Sequence, residues 1–122
     1  MPPERKLSDV FKAHARKVVE GREFEKLFRN AVEDNFTKEE LKTFRKMNAA
    51  RGEPDISSGI YVSDHGVYMS GAFLARNTAD ADIPPSIAGK VADAMDAALT
   101  GAKDHSAEVK SGALIPLKSL KP

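Results

Sequence analysis

The chain has 122 residues, 41% of them hydrophobic and 30% charged, with a formal net charge of +1 and no cysteine. That length suits one hydrophobic core, and the apolar content lies far from the regime in which chains stay disordered. The lack of cysteine excludes disulfides, thiolate metal sites and cysteine nucleophiles and fits a reducing compartment. The N-terminus has no apolar leader and no apolar run approaches the ~20 residues that span a bilayer, so the expectation is a cytoplasmic protein with no membrane partner.

The small net charge hides an asymmetry. Residues 1–51 carry 13 Lys/Arg against 9 Asp/Glu, and residues 52–122 carry 6 against 9. A basic front and an acidic rear suit a polyanion-facing N-terminal half or head-to-tail self-association, but charge runs usually just keep a face soluble, which favours two solvated faces that merely differ.

In chain order, Met1 to Lys6 reads as a frayed leader. Ser8 is placed to cap a first helix over Asp9 to Glu20, with Val10, Phe11, Val18 and Val19 near one face and Gly21 at its end. Arg22 to Asn35 places Phe24, Leu27, Phe28, Ala31 and Val32 on one helical stripe. Thr37 and Glu40 form a capping box that starts a third helix, running to Ala50 with Leu41, Phe44 and Met47 inward and Gly52 and Pro54 beyond its end. The period then changes to two. Ser58 to Ser63 and Val67 to Leu74 read as a hairpin around Asp64-His65-Gly66, with Ile60, Val62, Val67, Met69 and Phe73 on one face and Tyr61 and Tyr68 on the other. An isolated hairpin is marginal, so it must lie on the helices or pair with a second copy, which makes a homodimer one expectation.

Pro84-Pro85-Ser86 opens a fourth helix to Thr100, with Ile87, Val91, Met95 and Leu99 at i+4 spacing and alanines 88, 92, 94, 97 and 98 between them. Lys103 to Pro122 is polar apart from Ala113-Leu114-Ile115-Pro116-Leu117. The expected organisation is therefore an α+β domain over 1–102, with three N-terminal helices, one β-hairpin and one C-terminal helix, followed by a flexible tail over 103–122.

No motif points to catalysis or to a cofactor. His14, His65 and His105 lack any spacing that lets two imidazoles share a metal, so no metal is expected. Asp34 to Arg45 lacks the mid-loop glycine of a calcium loop and has Arg45 where a bidentate Glu is needed. The glycines do not open a helix as a phosphate loop does. Ser63-Asp64-His65 holds the letters of a hydrolase triad, but adjacent turn residues point apart, which makes a small hydrolase using Asp64 and His65 the weakest reading.

Two surfaces remain. Arg16 and Lys17 in the first helix, with Lys38, Lys42, Arg45 and Lys46 on one stripe of the third, have the geometry that phosphate contacts need. Glu39 and Glu40 sit among those lysines, and the helical pair lacks a convincing recognition helix. Tyr61, Tyr68, Leu114, Ile115 and Leu117 offer apolar anchors for a protein partner. The leading expectation is a small non-enzymatic binding or regulatory protein acting through protein–protein interaction, such as an inhibitor or accessory protein of a mobile element. The alternative is a DNA- or RNA-binding protein using the basic stripe.

Overall fold

The structure, a computed structural model, describes residues 6–120. In chain order it runs α1 (Leu7–His14), β1 (Val18–Glu20), α2 (Gly21–Asn35), α3 (Lys38–Ala49), β2 (Ile60–Ser63), β3 (Gly66–Ser70) and α4 (Gly71–Asn77). A 3-10 turn at Asp80–Asp82, α5 (Ala88–Gly101), α6 (Ser106–Ser111), β4 (Ile115–Pro116) and a second 3-10 turn at Leu117–Leu120 complete it. The strands form one antiparallel sheet in the order β1-β3-β2-β4. The fold is α+β.

Cross-strand register sorts the sheet into two faces. Val19, Met69 and Ile60 align across it, as do Val67, Val62 and Ile115, so these side chains share one face. Tyr68 stands opposite both Tyr61 and Glu20, and Tyr61 opposite Pro116, on the other. The first face meets α2, which packs along α5. Ile87, Val91, Met95 and Leu99 are buried there, as their i+4 spacing predicts, with Ala92, Ala94 and Ala98 beside them. The small side chains let α2 and α5 approach closely within this one chain. The second face carries a separate cluster of Val18, Tyr68 and Leu114, flanked by Tyr61 and by Val109 of α6.

The helix starts obey their local chemistry. The Glu20 carboxylate accepts from the Arg22 and Glu23 N–H groups at 2.9 and 3.0 Å at the start of α2. The expected capping box of α3 is formed, with Thr37 Oγ1 accepting from the Glu40 N–H at 3.2 Å and Glu40 Oε1 from the Thr37 N–H at 2.8 Å.

Several expectations are corrected. The first helix stops at His14, and Val18 and Val19, expected on its face, form β1. Consecutive valines bury on opposite faces of a strand: Val19 joins the main core and Val18 the second cluster. The cap of α1 is also not Ser8 but the distant Asp80, whose carboxylate accepts from the Leu7 and Ser8 N–H groups at 2.8 and 3.3 Å.

The second hairpin strand ends at Ser70 rather than Leu74. Its hydroxyl accepts from the Phe73 N–H at 3.1 Å and starts α4. Phe73 is thus a helical core residue. The hairpin is not isolated either: β1 covers one edge and β4 the other. Beyond β1, the Val18 C=O accepts from the His105 N–H at 2.7 Å and the Val18 N–H donates to Asp104 at 3.2 Å. The hairpin edge offered for a homodimer is already occupied.

Residues 103–120, expected as a flexible tail, instead carry α6, β4 and the final 3-10 turn, and Leu114 is only 2% exposed. Of the apolar run expected to dock elsewhere, Leu114 covers the second face of the chain's own sheet, Leu117 packs half-buried on the main core and Ile115 is exposed. The leader expectation for Met1 to Lys6 lies, except for Lys6, outside the described residues.

Candidate functional site

None of the residues of α3 is fully buried. Leu41, Phe44 and Met47 turn inward as expected and pack on the core as half-buried side chains. The Phe44 ring lies 5.8 Å from both Phe28 and Phe36. At 3.6 residues per turn, Lys38, Lys42, Arg45 and Lys46 fall within an arc of about 100° on the opposite side. All four are exposed. No hydrogen bond or ion pair among the described residues engages any of their side chains.

The two glutamates among these lysines separate. Glu40 faces α5, where its Oε1 lies 2.6 Å from Lys90 Nζ, and the same ammonium donates to the Asn35 C=O at 3.0 Å. The Lys90 hydrogen bond, followed by the Thr37 N–H, holds the Glu40 carboxyl below the usual carboxylate range. Glu40 therefore belongs to the α3–α5 junction, and Glu39 alone remains at the flank of the basic face.

Most of the acidic rear is engaged within the fold. Asp80 caps α1, and Asp96 Oδ1 meets His14 Nε2 at 2.9 Å. Glu108 meets His105 Nδ1 at 2.9 Å. Asp104 accepts from the Val18 and Ser106 N–H groups at 3.2 and 2.9 Å. Burial raises the Asp104 pKa, but these donors outweigh it and hold the carboxyl below its usual value. Asp55 accepts from the Ser57 N–H at 2.9 Å, which lowers its pKa too, and Asp93 is likewise engaged. Most anions of the rear half thus serve as caps and partners, whereas no described residue pairs with Lys38, Lys42, Arg45 or Lys46.

The other expected site residues are dispersed. Arg16 is exposed in the turn after α1, a helix that packs on α4 and α5. Lys17 does not face outward: its ammonium donates to the Leu99 C=O and, at 3.4 Å, to the Thr100 C=O, closing the end of α5. Tyr68 and Leu114 are buried in the second cluster, Tyr61 is half-buried beside them and Leu117 half-buried on the main core. Of the five apolar anchors only Ile115 is exposed, at 44%. It continues, through half-buried Val62, into Val67, which is 50% exposed. This row extends the core face toward the hairpin tip.

The remaining chemistry is sparse. Ser63, Asp64 and His65 form the hairpin turn, where the Ser63 hydroxyl accepts from the His65 backbone N–H at 3.1 Å. No hydrogen bond joins the His65 ring to a carboxylate among the described residues. No group of three His, Asp or Glu among those residues is placed to hold a metal. A cleft of about 680 Å³ lies between residues 50–54 and 76–84. Arg51 ties one wall to the other, donating to the Asn77 C=O at 2.6 Å and to Thr78 Oγ1 at 3.2 Å. No described helix is long and apolar enough to cross a membrane. No family model, no curated protein and no solved structure matches the chain.

Proposed function

We propose that this chain is a small non-enzymatic binding protein that acts by laying the outward face of α3 against a polyanionic macromolecular surface. One observation carries the reading: four exposed cations share one side of a helix and, among the described residues, none has an internal anionic partner. Unpartnered like charges on one face raise the local potential and attract a polyanion, and a helix holds them in fixed register. The test is elution from immobilised heparin. The triple change Lys42→Gln, Arg45→Gln, Lys46→Gln should elute at much lower salt than the parent, while Lys12→Gln, Arg16→Gln, Lys26→Gln shifts it little. Equal shifts for the two triples would reduce the effect to net charge and remove the reading.

A second reading, a protein partner on the apolar row of Val67, Val62 and Ile115, is favoured by the exposure of Val67 and Ile115 beside the core. Its simplest form is a second copy of this chain. Light scattering that gives a doubled mass, returned to one chain mass by Val67→Lys, supports it. A single-chain mass at every concentration removes the dimer.

A further inference from the structure

We infer that the polyanion is double-stranded nucleic acid, held through its phosphate backbone and without preference for base sequence. The inference rests on the polyanion reading above and goes on to choose among polyanions. Three features of the molecule make the choice.

The first is the absence of an anchor for a protein interface. The outward side of α3 presents Lys38, Lys42, Arg45, Lys46 and Ala49, with Glu39 at its flank. Protein interfaces draw their energy from buried aromatic and large apolar residues at the centre of the patch. This face has none, so an acidic protein surface would find only rim-type charge contacts, each worth little. Phosphate contacts need no apolar centre, because released counterions supply the free energy.

The second is the fate of the aromatic rings. Single-strand binders stack bases on exposed rings along a cationic groove. Here Phe11, Phe24, Phe36, Phe73 and Tyr68 are buried, and Phe28, Phe44 and Tyr61 are half-buried in the two core clusters. With no Trp in the chain, no exposed ring stands beside α3 to stack a base. The face is also convex, the side of a helix rather than a groove.

The third is spacing. Lys38, Lys42 and Lys46 recur one turn apart, about 6 Å along the axis, with Arg45 beside Lys46. Duplex DNA presents a charge every ~1.7 Å of its axis, dense enough for all four cations to find phosphates at once. A helix with its side chains is about as wide as the B-form major groove. The exposed side chains are chiefly ammonium groups, which act as point charges on phosphate, and Arg45 alone has a fork suited to a base edge. Phosphate contacts position a protein on a duplex but carry no sequence information.

The test is fluorescence anisotropy with a labelled 20-bp DNA duplex, the same-length RNA duplex, either DNA strand alone, and poly-glutamate as unlabelled competitor. The duplexes are expected to bind more tightly than the single strand, and two duplexes of unrelated sequence equally well. With four phosphate contacts, log Kd should rise with log salt at a slope of about 3.6, a loss of roughly 10²-fold between 50 and 200 mM. Lys42→Gln with Arg45→Gln should lower that slope by about 1.8. Glu39→Gln, which removes the flanking anion, should tighten binding severalfold. These positions are exposed, so circular dichroism and the thermal midpoint should match the parent.

The ways of failing are separable. No binding to any probe at 50 mM salt overturns the polyanion reading itself. A single strand bound as tightly as the duplex, or poly-glutamate displacing the duplex charge for charge, overturns the present inference and leaves that reading standing. A slope unaltered in the Lys42 and Arg45 variant moves the contact off α3 and overturns both.

Discussion

Gly71 sits at the junction of β3, α4 and the end of α1, and Gly71→Ala isolates one contact there. A Cβ built on Gly71 would lie 2.1 Å from the His14 carbonyl oxygen and 2.8 Å from its carbon, and real Cβ atoms essentially never come within 3.0 Å. The obstacle is backbone, so no rotamer change relieves it, and α1 must move away by the better part of an ångström. The same residue donates its N–H to the Lys17 C=O at 2.9 Å, so the movement also loosens the entry to β1. Overpacking in a rigid core costs about 1–3 kcal/mol, and backbone displacement with loss of a hydrogen bond puts this case at roughly 3 kcal/mol or more. The assay is urea unfolding followed by far-UV circular dichroism. Gly52→Ala, where nothing lies within 4 Å, serves as the control and should change stability by less than ~0.5 kcal/mol. Gly112 has equally open surroundings but a φ of +85°, so Gly112→Ala should cost about 1 kcal/mol through backbone strain alone. Gly71→Ala matching Gly52→Ala within error would refute the packing of α1 on α4 described here.

Leu114→Ala empties the second cluster and should cost about 2–4 kcal/mol, with hydrogen exchange at α6 and β4 accelerating before that of α5; unchanged protection would mean that residues 103–120 do not rest on the sheet. Asp80→Asn weakens the cap on the Leu7 and Ser8 N–H groups and should cost ~0.5–1 kcal/mol, read as fraying of α1 amides by NMR; an unaltered α1 would rule out the long-range cap. Glu40, Asp55 and Asp104 have folded pKa values below their unfolded ones. Their stabilisation is therefore complete above about pH 4–4.5 and is lost as pH falls through the folded values. The urea midpoint should drop on going from pH 6 to pH 3, less steeply in Asp104→Asn, and a midpoint that rises on acidification would contradict the assigned partners.

What could be read from residue order divides by the range of the interactions involved. α2, α3 and α5 were legible because amphipathic spacing and the Thr37–Glu40 box are local signals that their packing then used. The register of Ile60, Val62, Val67 and Met69 against Tyr61 and Tyr68 followed from alternation alone. β1 was not legible as a strand. Val18 and Val19 follow a helix too closely for a three-residue strand to show a period, and only β3 on one side and Asp104 and His105 on the other define it. Ser70 ahead of Gly71 was a local cap signal hidden by the apolar alternation on which it sits.

The basic stripe of α3 was visible in the sequence, but its standing was not. Lys17 looked like part of the set until its ammonium was placed on the α5 carbonyls. Glu40 looked like an objection until Lys90, fifty residues on, was placed beside it. Tyr68 and Leu114 looked like anchors for another molecule because nothing in their neighbourhood reveals that they cover each other. In each case a contact across the fold decides whether a side chain is free.

The most direct measurement of the central claim is a ¹H–¹⁵N chemical-shift titration of the full chain with a short DNA duplex at low salt. The account predicts perturbations confined to Lys38, Lys42, Arg45, Lys46 and their neighbours on the outward side of α3, fading as salt is added. Shifts centred on Val62, Val67 and Ile115, or no shifts at a concentration where heparin binds, would contradict it.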